Sequence, residues 1–192
     1  MINYYEKQLC DNSSIEYFEI DEAHSISQEI INTLWKDRPN EPHKINVFGK
    51  LCDVPRLQQA YGKSYSFSGT TALAKPIPDY LQKILIYVNN TLNTNFNMLL
   101  VNWYRNGEDY IGMHSDDERE IKKNSSIITL SLGATRPFVL KNKKTKERII
   151  IPLINNSILI MKGDCQKTHK HGLPKRKKIK NFRISITFRE FI

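Results

Sequence analysis

Long apolar runs are missing from this chain. No stretch approaches the roughly 20 residues that a membrane-spanning helix needs, and Met1-Ile2-Asn3-Tyr4-Tyr5-Glu6 has neither the basic start nor the apolar core of a secretory signal. No membrane partner is expected, and the chain reads as soluble and intracellular. Cysteine is scarce: Cys10, Cys52 and Cys165 are odd in number and widely spaced. That pattern excludes a disulfide scaffold and the paired spacing of a zinc or redox site, and it fits free thiols in a reducing compartment. No Pro-, Gly- or Ser-rich linker divides the 192 residues and no internal repeat is visible, so one domain with one sizeable core is expected. Acidic residues are the scarcer charge, 20 Asp and Glu against 29 Lys and Arg, for a net +9. A balance that basic favours a polyanionic partner.

What is present starts with His114 and Asp116, in Tyr110-Ile111-Gly112-Met113-His114-Ser115-Asp116. A two-residue spacing on an extended segment points both side chains to one face. One more His from another strand completes two imidazoles and a carboxylate, the facial set that holds iron(II) in an oxygenase and leaves positions open for co-substrate and dioxygen. His171 and His169 compete for that place, since residues two apart on a strand share a face. His-x-Asp alone arises easily by chance. The C-terminal segment Phe182-Arg183-Ile184-Ser185-Ile186-Thr187-Phe188-Arg189 raises the odds, because Arg183, Ser185, Thr187 and Arg189 share one face while Ile184, Ile186 and Phe188 share the other. A cationic, hydroxyl-bearing wall suits a small dicarboxylate, which guanidinium groups grip through charge-assisted hydrogen bonds. The two arginine Cα atoms stand about 20 Å apart along a strand, so only long, converging side chains would share one ligand.

The basic residues gather late. Lys141-Asn142-Lys143-Lys144-Thr145-Lys146-Glu147-Arg148 reads as a hairpin tip, and Pro174-Lys175-Arg176-Lys177-Lys178-Ile179-Lys180 follows His171 directly. Such runs are commonly solvated loops or import signals; beside a metal ligand, contact with phosphates is expected. Apolar residues recur at helical intervals over 26–35 and 77–88, and short β-branched and aromatic strands are expected at 99–104, 111–115, 127–132, 138–141, 148–153, 158–161 and 183–188. The expected fold is mainly β with flanking helices (α+β), its core a double-stranded β-helix or jelly roll of two facing sheets of about four strands each, with the site in the open mouth.

These residues resemble the AlkB family of iron(II)- and 2-oxoglutarate-dependent nucleic-acid dealkylases, and most closely its eukaryotic branch that repairs duplex DNA. The resemblance runs from Val47 to Ile192 through Val47-Phe48-Gly49-Lys50, Val54-Pro55-Arg56, Tyr65-Ser66-Phe67-Ser68-Gly69, Asn102-Trp103-Tyr104-Arg105-Asn106-Gly107, Ile111-Gly112-Met113-His114-Ser115-Asp116-Asp117-Glu118, Ser131-Leu132-Gly133-Ala134-Thr135-Arg136, His171-Gly172-Leu173-Pro174 and Arg183 to Arg189. It implies an AlkB-like domain over 41–192, with 1–40 an N-terminal extension of no assigned role. The family context of Gly172-Leu173-Pro174-Lys175-Arg176 falls to His171, so the resemblance makes His114, Asp116 and His171 the iron ligands and His169 a pocket wall.

By the same resemblance, Asn102, Tyr104, Arg183, Thr187 and Arg189 bind 2-oxoglutarate, with Arg183 at the distal carboxylate and Arg189 nearer the metal. Ser185 departs from the family's asparagine, which implies altered co-substrate affinity. The implied reaction uses Fe(II), 2-oxoglutarate and dioxygen to oxidise the alkyl group of 1-methyladenine- or 3-methylcytosine-type bases, releasing formaldehyde. Phe48, between Val47 and Gly49, is the implied wedge that fills the gap left by a flipped base, and Tyr65 and Phe67 the roof of the base pocket; a plain core role is the alternative for each aromatic. Asp117 and Glu118 would meet an exocyclic amine, Arg56 and Gln58 the opposite strand or the lesion, and Lys175, Arg176, Lys177 and Lys178 the backbone phosphates. The partner is alkylated DNA, alternatively RNA, and nothing requires more than a monomer. The expected place of action is the nucleus, with the cytoplasm or a virus-encoded protein acting in its host as alternatives, given a composition rich in Ile, Lys and Asn that suggests an AT-rich genome.

Overall fold

The computed structural model describes residues 4–47, 49–67 and 70–192. Phe48 lies outside the described residues, and so do the side chains of Val47, Tyr65 and Phe67. The strands are β1 (Tyr4–Cys10), β2 (Ser13–Glu19), β3 (Lys44–Val47), β4 (Lys50–Asp53), β5 (Leu57–Tyr61), β6 (Tyr65–Phe67), β7 (Thr70–Ala72), β8 (Ala74–Lys75), β9 (Met98–Tyr104), β10 (Ile111–His114), β11 (Ile127–Gly133), β12 (Arg136–Asn142), β13 (Arg148–Leu153), β14 (Ser157–Gly163), β15 (His169–Leu173) and β16 (Arg183–Arg189). Helices α1 (Gln28–Lys36) and α2 (Asp79–Leu92) fall where the periodicity predicts them, and α3 (Cys165–Thr168) is a single turn.

An eight-stranded sheet, β1-β2-β14-β11-β16-β9-β5-β8, faces a four-stranded sheet, β10-β15-β12-β13. The expectation of about four strands per sheet holds for the small sheet only. The N-terminal hairpin accounts for much of the difference, because β2 pairs along its whole length with β14. Residues before 41 therefore do not stand apart: Ile15, Tyr17, Ile31 and Leu34 are buried in the two main cores.

Strict alternation sets what each face meets. Val101 and Trp103 of β9 and Ile184, Ile186 and Phe188 of β16 turn outward from the sandwich and pack under Leu81, Ile84, Leu85 and Val88 of α2 and Ile31 and Leu34 of α1. Ser27 caps α1 by accepting from the amide of Ile30. The Trp103 indole donates to the Leu34 carbonyl at 2.7 Å, which pins that helix to the sheet. Between the sheets, Ile15, Tyr17, Ile127, Leu159 and Met161 pack on Phe138, Leu140, Ile151 and Leu153 and fill one end. The other end stays open. Strand β10 is an edge strand of the small sheet, with a register irregularity between Ile111 and His114, and His114 sits directly opposite His171 on β15.

Candidate active site

The open end of the sandwich holds a cavity of about 660 Å³, within the size range of ligand sites. Its back wall is the inner face of β9 and β16 in unbroken register, with Tyr104 opposite Arg183 and Asn102 opposite Ser185. Arg183, Ser185, Thr187 and Arg189, which the alternation puts on one face, all line the cavity together with Asn102 and Tyr104. Arg183 is 2% exposed and donates from Nη2 to Ser131 Oγ at 2.8 Å. Its Nε has no hydrogen-bond partner among the described residues. Burial lowers the Arg183 guanidinium to about 10, so it stays charged at neutral pH. A buried cation with an unused donor fits a carboxylate that comes from outside the protein.

At the other end of this wall, Arg189 Nη2 stands 2.9 Å from Asp116 Oδ1. His114 Nε2 is 3.4 Å from Asp116 Oδ1 and His171 Nε2 is 3.8 Å from Asp116 Oδ2. One donor atom from each of the three lies within 4.8 Å of the others. His114 Nδ1 lies 2.9 Å from the Gly112 carbonyl oxygen; donating there fixes the tautomer and leaves the Nε2 lone pair for a metal. Burial pushes the His171 ring down to about 3, which keeps it neutral and able to ligate. Burial alone would raise Asp116, but Arg189 and the two histidines outweigh it and hold the carboxyl well below the usual range. Two imidazoles and an ionised carboxylate converging on one point fit a divalent iron.

His169 shares the strand with His171 but not the site. Its Nδ1 is 2.8 Å from Thr168 Oγ1, and it is not part of the described donor cluster or the cavity lining. Asp117 and Glu118 line the cavity, and so does the buried Arg56. The Arg56 Nε donates to Asn102 Oδ1 at 2.7 Å, which turns the guanidinium inward, toward the expected co-substrate, and away from a strand outside. Gln58 departs further from expectation: it is fully buried and lies outside the cavity's lining, opposite Asn102 on β9. Lys175, Arg176, Lys177 and Lys178 are all exposed on the loop after β15.

Two contributors carry no local sequence signal. Gln166 of α3 accepts the Asp116 amide at 3.0 Å, and Ser115 Oγ donates to the His169 carbonyl at 2.9 Å. Together they fasten the segment that carries two metal donors. Phe138 also supports the site, stacking on His171 with ring centroids 5.3 Å apart. It lies in an expected strand, so its inward direction was readable from alternation.

The sandwich, the donor triad and the buried arginines define a 2-oxoglutarate- and iron(II)-dependent oxygenase architecture. The model of the 2OG-Fe(II) oxygenase superfamily matches residues 14–189. Among curated proteins the chain is 37% identical over 160 residues to the DNA oxidative demethylase ALKBH2 of Homo sapiens, covering 78% of this chain and 61% of that protein. It is 31% identical over 188 residues to the alpha-ketoglutarate-dependent dioxygenase alkB homolog 3 of Homo sapiens, covering 90% of this chain and 63% of the relative. Among solved structures, that titled "The structure of OsALKBH1" superposes with a TM-score of 0.61 at 15% identity over 96% of this chain and all of that one, a likeness of fold. The chain belongs to the AlkB family of the 2OG-Fe(II) oxygenase superfamily, and it spans about three-fifths of the length of the relatives it matches.

Proposed function

We propose that this chain oxidatively removes alkyl groups from N-alkylated bases of DNA, of the 1-methyladenine and 3-methylcytosine type, as an Fe(II)- and 2-oxoglutarate-dependent dioxygenase. One observation carries the reading: a single cavity joins the donor triad and the cationic wall to a mouth bearing Asp117 and Glu118, next to an exposed loop of four cations. With iron and 2-oxoglutarate bound, dioxygen would be the oxidant: one of its oxygen atoms would go to succinate as 2-oxoglutarate loses carbon dioxide, and the other would convert an N-methyl to an N-hydroxymethyl group, which releases formaldehyde.

The protein's part is to hold and orient. His114, Asp116 and His171 hold the metal, while Arg183 grips the distal carboxylate of 2-oxoglutarate with Tyr104 and Asn102 beside it. Arg189 keeps Asp116 ionised. Asp117 and Glu118 accept from the exocyclic amine of the damaged base. A methyl group on a pairing edge is out of reach inside a duplex, so the base is extruded at a cost of roughly a few kcal/mol, part of which the damaged pair has already lost. Phe48, with Val47 and Gly49, fills the gap, and Tyr65 and Phe67 cover the base. Lys175, Arg176, Lys177 and Lys178 hold phosphates. Nothing in this site calls for a second chain, which supports a monomer as the active unit, and a DNA substrate favours the nucleus as its place of action, with the cytoplasm or a host cell as alternatives.

The test measures formaldehyde and succinate from protein with iron(II), ascorbate and 2-oxoglutarate, offered 1-methyladenine in duplex DNA, single-stranded DNA and RNA. Turnover on duplex DNA is the expected result. Preference for RNA would replace the substrate and demote Phe48 to the core; succinate without demethylation of any strand would keep the oxygenase and discard nucleic acid.

A further inference from the structure

Arg136, the first residue of β12, is 1% exposed and has no carboxylate within ion-pair distance among the described residues. Its hydrogen-bond partners among the described residues are all main-chain carbonyls, and its guanidinium carbon lies 5.9 Å from the centroid of the Tyr104 ring. Nη1 donates to Asn106 at 3.1 Å, and Nη2 donates to Asp109 at 2.9 Å and to Pro174 at 2.8 Å. The nearby Asp109 carboxylate is already taken by Arg105, through its amide, Nε and Nη2, each at 2.8 Å. Burying a guanidinium without a counter-charge costs several kcal/mol, and a Met of similar volume would avoid that cost. What a Met cannot do is join three carbonyls from two loops with one planar fork.

Those loops are the one after β9 and the one after β15, which carries Lys175 to Lys178. They are clasped beside Arg136. The Gly107 amide donates to the Ile179 carbonyl at 2.8 Å and the Arg176 amide to the Gly107 carbonyl at 2.7 Å. A Cβ on Gly107 would stand 1.8 Å from the Arg176 carbonyl oxygen, so the close approach requires glycine. Lys175 Nζ lies 5.0 Å from the centroid of the Tyr110 ring, which lines the cavity. The clasp thus gathers exposed cations around a buried one and holds them against their mutual repulsion.

We propose that Arg136 is the positioning residue of the nucleic-acid grip: it fixes the loop after β15 to the loop after β9, so that Lys175, Arg176, Lys177 and Lys178 meet the phosphates as one rigid set. This rests on the reading of that loop as a phosphate contact. The test has two independent readouts on Arg136→Lys, which keeps the charge and loses the fork. The first is amide hydrogen exchange over 174–180 in the iron-loaded protein without nucleic acid. The second is the salt dependence of binding to unmodified duplex DNA, together with KM and kcat on methylated duplex. Exchange over 174–180 rises about tenfold or more, affinity falls about tenfold, and the salt slope becomes shallower by about 0.9 per phosphate released. KM rises while kcat holds.

Wild-type exchange over 174–180 in Arg136→Lys overturns the strut. Faster exchange with unchanged affinity and salt slope overturns the phosphate reading of the loop on which the proposal rests. If Arg136→Lys does not fold, Gly107→Ala opens the same clasp from the opposite side, and wild-type exchange and salt slope in that variant overturn the proposal equally.

Discussion

Strands β9 and β16 contribute seven residues each, every one of them buried, in unbroken register with each other, whereas β3 with β4 and β6 with β7 form two-stranded sheets of their own. The back wall of the cavity is shared structure: its outward face is the core under both helices and its inward face is the chemistry. The two hairpins, a rim that meets the cavity among the described residues at Ile45, are appended. A two-stranded hairpin is marginal by itself, so its geometry depends on its own turn, where Gly49 at φ +80° donates its amide to Asn46 Oδ1 at 2.7 Å. Wall and rim therefore differ in what a substitution reaches. Changes in the wall reach the co-substrate pocket and the fold together, and changes in the two hairpins are expected to leave the core intact.

The sharpest separation comes from His114→Ala. His114 is the least buried of the three metal donors, so its loss leaves the fold intact, and demethylation is abolished while duplex binding is retained; loss of both together would show that wall and rim are not separable. Arg183→Met comes next. Charge-assisted hydrogen bonds contribute about 1.5–3 kcal/mol, so KM for 2-oxoglutarate rises on the order of 10- to 100-fold, with nucleic-acid affinity unchanged by titration. Replacing Lys177 and Lys178 with Ala has the converse effect: the salt slope of duplex binding falls by about 0.9 for each phosphate no longer neutralised, and KM for 2-oxoglutarate stays the same.

The mildest probe compares a thiol on the rim with one buried in the core between the sheets. Cys52 is exposed on β4, and burial pushes the Cys165 thiol up to about 12. At pH 8 an alkylating reagent modifies Cys52 in the native protein and reaches Cys165 only on unfolding; equal rates at both would contradict a rigid body with an appended rim. Nucleic acid slows the reaction at Cys52.

The wall was legible because period-two alternation states both of its faces at once: Ile184, Ile186 and Phe188 require a core, and Arg183, Ser185, Thr187 and Arg189 are left to face something else. Helices α1 and α2 were legible from their apolar spacing within a few residues at each end. The N-terminal hairpin was not recognised, although Ile15 and Tyr17 alternate with Ser14 and Glu16 as a half-buried strand does. Strand β15 reads as a metal motif more readily than as a strand, since two His, a Lys and a Gly fill four of its five places. The inward turn of Arg56 depends on Asn102, 46 residues away, the burial of Gln58 on what packs over the face of β5, and the Gln166 contact spans 50 residues. Pairings at such distances leave no local periodicity to read.

Strand β10 also has a mechanical side. It is the outermost member of the small sheet, four residues long and irregularly paired, yet the segment it begins supplies two of the three donor side chains, and the third comes from the strand beside it. A divalent ion held by His114, Asp116 and His171 is therefore also a cross-link, tying a loosely attached edge to its neighbour much as a staple closes a hem. Part of the ion's binding energy goes into ordering that edge, so the site is expected to trade tightness for exchangeability. Adding a chelator should lower the melting temperature and expose the chain near β10 to proteases before the rest of the molecule loosens.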